Sequence, residues 1–305
     1  MYFTAGARVR AEKLRLLKRQ VSPAVLRELR RHPQLMDLTA QTRTMTFLVC
    51  RIRGFDTIAE SFAGNPQGLS QLVRRAITPL VRAVHAHGGT VNRMVEGGLS
   101  AFFNAPLDDP NHAVHGCECA LAMLETLDDV NRALASVPSE PIGIGIGINT
   151  GRGIVGDFGT AGQPDYAAMG PAAGWADTLE RLSSDYGAAI LAGNAVRAQA
   201  ERSFAFLEVD LVPAGQNKPL PLFALLGKPL SRASPKFLAL KSFHEHMFEA
   251  YRAQHWNEAR ALLVQARALS GANAALYDLY LQRIAHYEAH PPAANWNGIF
   301  TPAQS

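Results

Sequence analysis

The chain has 305 residues, of which 48% are hydrophobic and 18% are charged, and its mean hydropathy is −0.03. This length allows one large domain with a smaller appendage. The sequence has no apolar run of membrane-spanning length and no signal-peptide pattern, so we expect a globular protein of the cytoplasm. Its three cysteines lack the spacing of a metal site or of a disulfide framework, which favours reduced thiols.

Positive charge is concentrated at the N-terminus. Residues 1–35 contain nine Lys and Arg residues and two Glu residues, a net charge of +7, whereas the whole chain has +4. Three interpretations remain open, namely a solvated helix face, a stretch beside the cytoplasmic surface of a membrane, and a nucleic-acid arm. Because no aromatic residues are interleaved among these charges, nucleic acid is the least favoured partner.

Hydrophobic periodicity predicts alternating helices and strands. An N-terminal helical stretch extends to about residue 38, with a helix start at Ser22 and Pro23. Further helices are predicted at 69–84, 113–135 and 172–184. Strands are predicted at 44–50, 90–95, 99–103, 142–148, 204–212 and 220–225. Because the strands and helices alternate around hairpins, the pattern predicts an α+β sandwich with helices on a mixed sheet.

The C-terminal part has a different pattern. A polar linker at 231–236 is followed by two or three amphipathic helices at 237–286, whose pattern around Trp256 is similar to a single tetratricopeptide-type helical hairpin. We expect the irregular tail to dock through Trp296 and Phe300. The predicted domains are therefore a basic N-terminal helical segment at 1–41, a central domain at 42–228, and the linker, hairpin and tail at 229–305.

Four glycine-containing segments follow one another within the central domain. They are VCRIRGF at 49–55, NRMVEGGLSAFFNAP at 92–106, GIGINTGRGIVG at 145–156 and DYAAMGPAAGWADTL at 165–179. In order and spacing these segments resemble the motifs of class III adenylate and guanylate cyclases. The resemblance implies an α+β fold with a ferredoxin-like βαββαβ core, followed here by a C-terminal helical hairpin. The flanking segments and the tail WNGIF resemble those of bacterial membrane-anchored adenylate cyclases.

The resemblance also implies a catalytic site in which two aspartates hold two Mg²⁺ or Mn²⁺ ions. Arg51 and Gly97 stand at the two aspartate positions of this sequence. Because arginine is always protonated, Arg51 would repel a divalent cation at that position. We therefore expect no metal and no other cofactor. Gly97 leaves space beside Glu96, and this arrangement predicts an Arg51–Glu96 ion pair in place of the metal centre.

At the remaining positions implied by the resemblance, this sequence also lacks the residues that the family uses. Arg93 stands at the base-reading lysine and Ala167 at its partner. Gly174 stands at the transition-state asparagine and Thr178 at the phosphate-binding arginine. A further phosphate-binding lysine aligns with Ala214, with Lys218 as the alternative. We expect no catalytic residues, and only vestigial nucleotide-binding positions.

The predicted function is that of a degenerate cyclase homology domain with a regulatory, dimerisation or scaffolding role in cyclic-nucleotide or membrane signalling. The alternative is a low-activity cyclase that acts on ATP or GTP through a rearranged metal site or an intact partner subunit. Because active sites in this family form across a dimer interface, the expected partner is a second copy or another cyclase-type domain. A protein partner on the C-terminal hairpin is a further hypothesis. The chain is expected in the cytoplasm, as the cytosolic part of a membrane-anchored protein in one interpretation.

Overall fold

The computed structural model describes residues 2–134, 141–160, 163–214, 217–270, 274–293 and 295–300. These residues form two compact units, Met1–Arg181 and Leu182–Ser305, which divide within a helix. The division into compact units does not test the domain ranges predicted from the sequence, and 1–41, 42–228 and 229–305 stay a prediction. No helix among the described residues is both long enough and apolar enough to cross a bilayer.

An antiparallel sheet forms the centre of the N-terminal unit. Strand β1 (Gln41–Ile52) lies between β3 (Gly98–Phe103) and β4 (Ile144–Asp157) and pairs with both. Strand β2 (Thr90–Val95) pairs with β3, and β5 (Tyr166–Met169) pairs with β4. Because β1 has a neighbour on each side and is covered on both faces, its residues from 45 to 50 are all buried.

Seven α-helices of the N-terminal unit are described. They are α1 (Tyr2–Leu17), α2 (Pro23–Arg31), α3 (Phe55–Ser61), α4 (Pro66–Ala86), α5 (His112–Glu125), α6 (Leu127–Leu134) and α7 (Pro171–Leu182). The predicted start at Ser22 is confirmed, because the Val25 amide donates a hydrogen bond to Ser22 Oγ at 3.2 Å. The predicted helix at 113–135 is instead two helices, with Thr126 as the C-cap of the first.

Successive residues of β1 point to opposite faces of the sheet. On one face, Thr46 accepts or donates a hydrogen bond with His112 of α5 at 2.7 Å, and Gly116 allows α5 to approach the same threonine. On the other face, Phe47 and Val49 belong to the apolar core that α1, α2 and α7 share. The N-terminal helices are therefore packed onto the sheet, with their exposed basic side chains on the outside.

Glycines on β4 bring α7 unusually close to the sheet. A Cβ atom at Gly147 would lie 2.1 Å from the carbonyl oxygen of Ala176, which no side chain tolerates. The Asn149 side-chain amide donates a hydrogen bond to the Ala172 carbonyl at 3.1 Å. The alternation of glycine and asparagine with isoleucine in GIGINTG thus gives β4 one face for α7 and one apolar face for the core.

Three strands and five helices are described in the C-terminal unit. Strand β8 (Asn217–Gly227) pairs antiparallel with β6 (Ile190–Gly193) and with β7 (Ala205–Ala214). The helices are α8 (Asn194–Ala200), α9 (Pro229–Ala233), α10 (Pro235–Arg252), α11 (Trp256–Ser270) and α12 (Ala274–Ala289). Arg283 of α12 and Asp210 of β7 form a buried ion pair at 2.8 Å, which ties the last helix to the sheet of this unit.

The tail docks as predicted. The Trp296 ring lies 5.2 Å from the Tyr251 ring and 4.9 Å from the Tyr287 ring, measured between centroids. The Phe300 ring lies 5.5 Å from Tyr287, and the Arg283 guanidinium lies over Phe300 at 4.8 Å. These aromatic contacts give the C-terminal helices a core of their own.

Candidate functional site

The candidate site is built around Arg51, near the end of β1. Its guanidinium makes two short ion pairs, one with Asp177 and one with Glu180, both on α7. The side chains of Arg51 and Glu180 are 23% and 10% exposed, so the cluster is largely removed from water. Asp177 also pairs with Arg181 at 2.8 Å. An arginine–carboxylate cluster therefore occupies the strand end where the resemblance implied a metal ligand.

This geometry corrects the predicted Arg51–Glu96 ion pair. Arg51 shares a face of the sheet with Phe47 and Val49, and helix α7 covers that face. The guanidinium therefore pairs with carboxylates of α7. Glu96 is exposed in the turn between β2 and β3. Adjacency of β1 and the β2–β3 hairpin does not bring Glu96 to Arg51, because the Arg51 guanidinium lies against α7.

Gly97 does not leave an empty space. The residue has a φ of +64°, and a Cβ atom built on it would lie 2.5 Å from the ring of Phe55. An aspartate at this position would therefore meet both backbone strain and a steric clash. The aromatic side chain at the start of α3 fills the volume beside the turn.

The Arg51 guanidinium keeps its positive charge in this cluster. Burial acts to lower the pKa of Arg51, but its hydrogen bonds to Asp177 and Glu180 outweigh this effect and raise it. Burial raises the pKa of Glu180, and the hydrogen bond from Arg51 opposes that rise. Because the guanidinium stays charged and takes up both carboxylates, these residues do not fit a pair of divalent metal ions. Elsewhere among the described residues, no group of three or more metal-ligating side chains is found.

A groove of about 320 Å³ adjoins the cluster. Arg93 and Gly174, two of the vestigial positions, line this groove together with Asp177. Gly174 has open space around its Cα, and the Thr178 hydroxyl donates a hydrogen bond to the Gly174 carbonyl at 3.1 Å. The resemblance assigned an asparagine to position 174 and an arginine to position 178 of this helix. The one polar side-chain group at these positions is the Thr178 hydroxyl, and it is already hydrogen-bonded within the helix.

The remaining predicted positions lie elsewhere. Ala167 is buried in β5, and its neighbour Ala168 exchanges two hydrogen bonds with the Asn92 side chain, which joins β5 to β2. Ala214 is the last residue of β7 in the C-terminal unit, and residues 215 and 216 lie outside the described residues. The structure therefore brings Arg51, Arg93 and Gly174 to one region of the N-terminal unit.

Sequence reasoning missed Asp177 and Glu180, the residues that define the cluster. Their signal was present, because two carboxylates three positions apart share one face of a helix, and this helix directly follows the Gly174 motif. An arginine in an otherwise apolar strand requires a partner of opposite charge. Together, these two facts would have indicated that Arg51 pairs with Asp177 and Glu180.

An apolar patch is exposed on the N-terminal unit near the groove. Ile154 on β4 and Met169 on β5 are cross-strand neighbours, and they are 45% and 38% exposed. Ile154 and Met169 are called the methionine patch below. Large apolar side chains grouped on a surface are typical of contact sites for another protein.

Comparisons with known proteins agree with the predicted family. No protein-family model matches the chain. Adenylate cyclase 1 of Rhizobium meliloti is 31% identical over 189 residues, which cover 62% of this chain and 28% of that protein. An adenylate cyclase of Anabaena cylindrica is 28% identical over 158 residues, which cover 50% of this chain and 30% of that protein. The matched region is thus less than a third of either relative.

Solved structures show the same fold. The crystal structure of the adenylyl cyclase CyaB from P. aeruginosa superposes with a TM-score of 0.57 at 23% identity, covering 62% of this chain and 96% of that one. The α+β fold class and the resemblance carried by the four motifs are confirmed.

Proposed function

We propose that this chain, which has the fold of a class III nucleotidyl cyclase domain, is a catalytically degenerate form of that domain with a regulatory, dimerisation or scaffolding role. The observation that carries the proposal is the double ion pair of Arg51 with Asp177 and Glu180. A guanidinium stands where catalysis in this family needs a metal ligand, and two carboxylates hold it in place.

Electrostatics makes metal binding at this position unfavourable. A divalent cation a few Å from the guanidinium is repelled by about 1–4 kcal/mol per unit charge pair. Freeing the carboxylates for a metal would also leave the partly buried guanidinium without a partner; the cost is roughly 3–5 kcal/mol for a fully buried pair and smaller here, since Arg51 is 23% exposed. The second ligand position offers no compensation, since Gly97 is packed against Phe55.

Transition-state stabilisation is missing as well. Gly174 has no side chain, and the hydroxyl of Thr178 is already bonded to its own helix. Removing one electrostatic stabiliser typically costs about 10²–10³ in rate. Although such losses do not multiply simply, few groups remain on which catalysis would depend.

The methionine patch supports pairing with a second copy or with another cyclase-type domain. Its side chains lie on β4 and β5, and Met169 also lines the groove that contains the vestigial positions. A partner that covers the patch would therefore also border the groove, and the degenerate domain would influence an intact site across the interface.

The pairing is tested by adding the purified chain to an intact class III cyclase domain and measuring its rate of cyclic-nucleotide formation. We expect a change in rate that saturates with added chain and that is lost in the Ile154→Glu, Met169→Glu double variant. The Leu230→Glu variant is the matched control, because Leu230 is 89% exposed outside the patch. No change in rate, or an equal effect of all three proteins, would contradict a regulatory role through this surface.

We also propose that the chain works beside a membrane. Helices α1 and α2 bury Leu17, Leu26 and Leu29 in the core, while Arg27 and Arg30 of α2 are exposed. A basic surface is attracted to anionic lipid by about 1 kcal/mol per charge close to the membrane. Co-sedimentation with phosphatidylserine vesicles, but not with phosphatidylcholine vesicles, is expected at low salt. Equal recovery with both vesicle types would contradict binding to anionic lipid.

A protein partner for the α11–α12 hairpin stays a prediction.

A further inference from the structure

A second cleft lies wholly within the C-terminal unit and has no part in the proposed pairing. Its volume is about 440 Å³, which is within the range of small-molecule sites. Its walls come from the end of α8, the start of β7, the helix α9 and the first turns of α10. Basic side chains dominate its polar lining, which consists of Arg197, Glu201, Arg202, Arg232 and Lys241.

The charges of this cleft are not balanced by the protein. Arg197 pairs with Glu201 at 2.8 Å, and Lys241 pairs with Glu245 at 3.6 Å. Within the described part of the chain, Arg202 and Arg232 have no carboxylate at ion-pair distance. Every other arginine of the C-terminal unit has a carboxylate partner, and these are Arg197, Arg252, Arg260, Arg267 and Arg283. The two unpaired guanidinium groups of this unit therefore face the same cleft.

The floor of the cleft is aromatic. Phe204, Phe206 and Phe237 line it and are otherwise buried, and the first two rings lie edge to face with centroids 6.4 Å apart. Such a floor accepts a flat or apolar group, whereas the arginines around it suit an anion with several oxygen atoms. Guanidinium groups bind phosphate through paired hydrogen bonds, which makes arginine the preferred residue for phosphate recognition.

We propose that this cleft binds a small phosphorylated molecule with a ring. Its phosphate lies between Arg202 and Arg232, and its ring lies against the aromatic floor of the cleft. Binding supplies the counter-charge that the chain itself lacks at these two arginines. The site gives the chain a way to respond to a metabolite, and it stands independently of the proposed function.

The test is isothermal titration calorimetry of the full chain with adenosine 5′-monophosphate, which combines one phosphate with one flat ring. We expect saturable binding to the wild type and no measurable binding of adenosine. The Arg202→Gln, Arg232→Gln double variant should lose at least tenfold in affinity. The Arg260→Gln, Arg267→Gln variant is the matched control and should bind like the wild type, because both arginines lie on α11 outside the cleft.

Three results would overturn the proposal. The first is the absence of saturable binding to the wild type. The second is equal affinity in the wild type and the Arg202, Arg232 variant, with loss of binding in Arg93→Gln instead, which would place the ligand in the groove of the N-terminal unit. The third is displacement of the nucleotide by a short polyglutamate peptide that binds more tightly, which would identify an acidic peptide as the ligand. Circular dichroism of each variant establishes that it is folded before titration.

Discussion

At the scale of single residues, Arg51 depends entirely on α7. Both of its carboxylate partners lie on that helix, and the three side chains are partly or largely shielded from water. A partly buried cation between two acids is stabilising only while the set is complete, because removal of the cation leaves two like charges facing each other. The cluster is therefore a structural element at the strand end where the resemblance implied a metal ligand.

We predict that Arg51→Ala lowers the free energy of unfolding by about 2 kcal/mol. The expected loss is below the roughly 3–5 kcal/mol of a fully buried pair, because the Arg51 side chain is 23% exposed. Urea denaturation measures it. Arg132→Ala is the control, since Arg132 pairs with Asp129 on the surface and should contribute less than about 1 kcal/mol. Equal losses in the two variants would argue against a structural role for the cluster.

His244 predicts a specific dependence of stability on pH. Burial lowers its pKa to about 4, and the ring is neutral, with Nε2 donating to the Glu208 carbonyl and Nδ1 accepting from the Tyr277 hydroxyl. The unfolded chain binds the proton with a pKa of about 6.5, so stability should be lost as the pH falls from about 6.5 toward 4.

The expected loss from His244 between pH 7.5 and pH 5 is about 2 kcal/mol. Urea denaturation at both pH values should show this slope in the wild type and a smaller slope in His244→Gln. His255→Gln, at an exposed position, serves as the control and should keep the wild-type slope. If His244→Gln leaves the slope unchanged, then other groups account for the acid sensitivity.

At the scale of elements, the position of α7 is set by the backbone of β4. We predict that Gly147→Ala destabilises the N-terminal unit by about 2–3 kcal/mol, because the new methyl group would meet the Ala176 carbonyl of α7. Gly143→Ala is the control, since its Cβ would lie 3.4 Å from Arg53 Cδ, which is nearly an ordinary contact. Thermal unfolding compares the two variants. A similar melting temperature for both would mean that α7 is free to shift.

Long periodic elements could be predicted from the sequence, and short ones could not. The apolar stretch of β1, the β2–β3 hairpin and the helix α4 were found near their observed bounds. The strands β5 and β6 have four residues each, too few to show a period, and their pairing depends on distant strands. The split after α5 was also missed, because the hydrophobic pattern continues across Thr126.

The chemistry of the site was only half predictable for a related reason. The aligned motifs alone predict that Arg51 and Gly97 stand at the two metal-ligand positions. The replacement does not, because it requires knowledge of which helix covers the strand and which ring fills the turn. Two of the residues involved, Asp177 and Glu180, lie on α7 but pair with Arg51 of β1. The third, Phe55, lies at the start of α3 but packs against the turn at Gly97.

At the scale of the whole molecule, the methionine patch predicts self-association. We expect the chain to sediment as a dimer in analytical ultracentrifugation, and the Ile154→Glu, Met169→Glu variant to sediment as a monomer. The physical reason is that a charge on each of two cross-strand neighbours would have to be buried in the contact. Leu230→Glu should remain dimeric. A monomeric wild type across the accessible concentrations would contradict the proposed interface.

We propose that an arginine–carboxylate cluster stands in place of the catalytic metal centre. An assay of the purified chain for cyclic AMP and cyclic GMP, with ATP or GTP and excess Mn²⁺, tests this directly. We expect no product above a blank without protein. Product that forms with the wild type and is lost in Asp177→Asn or Glu180→Gln would contradict it, because those carboxylates would then hold a metal rather than Arg51.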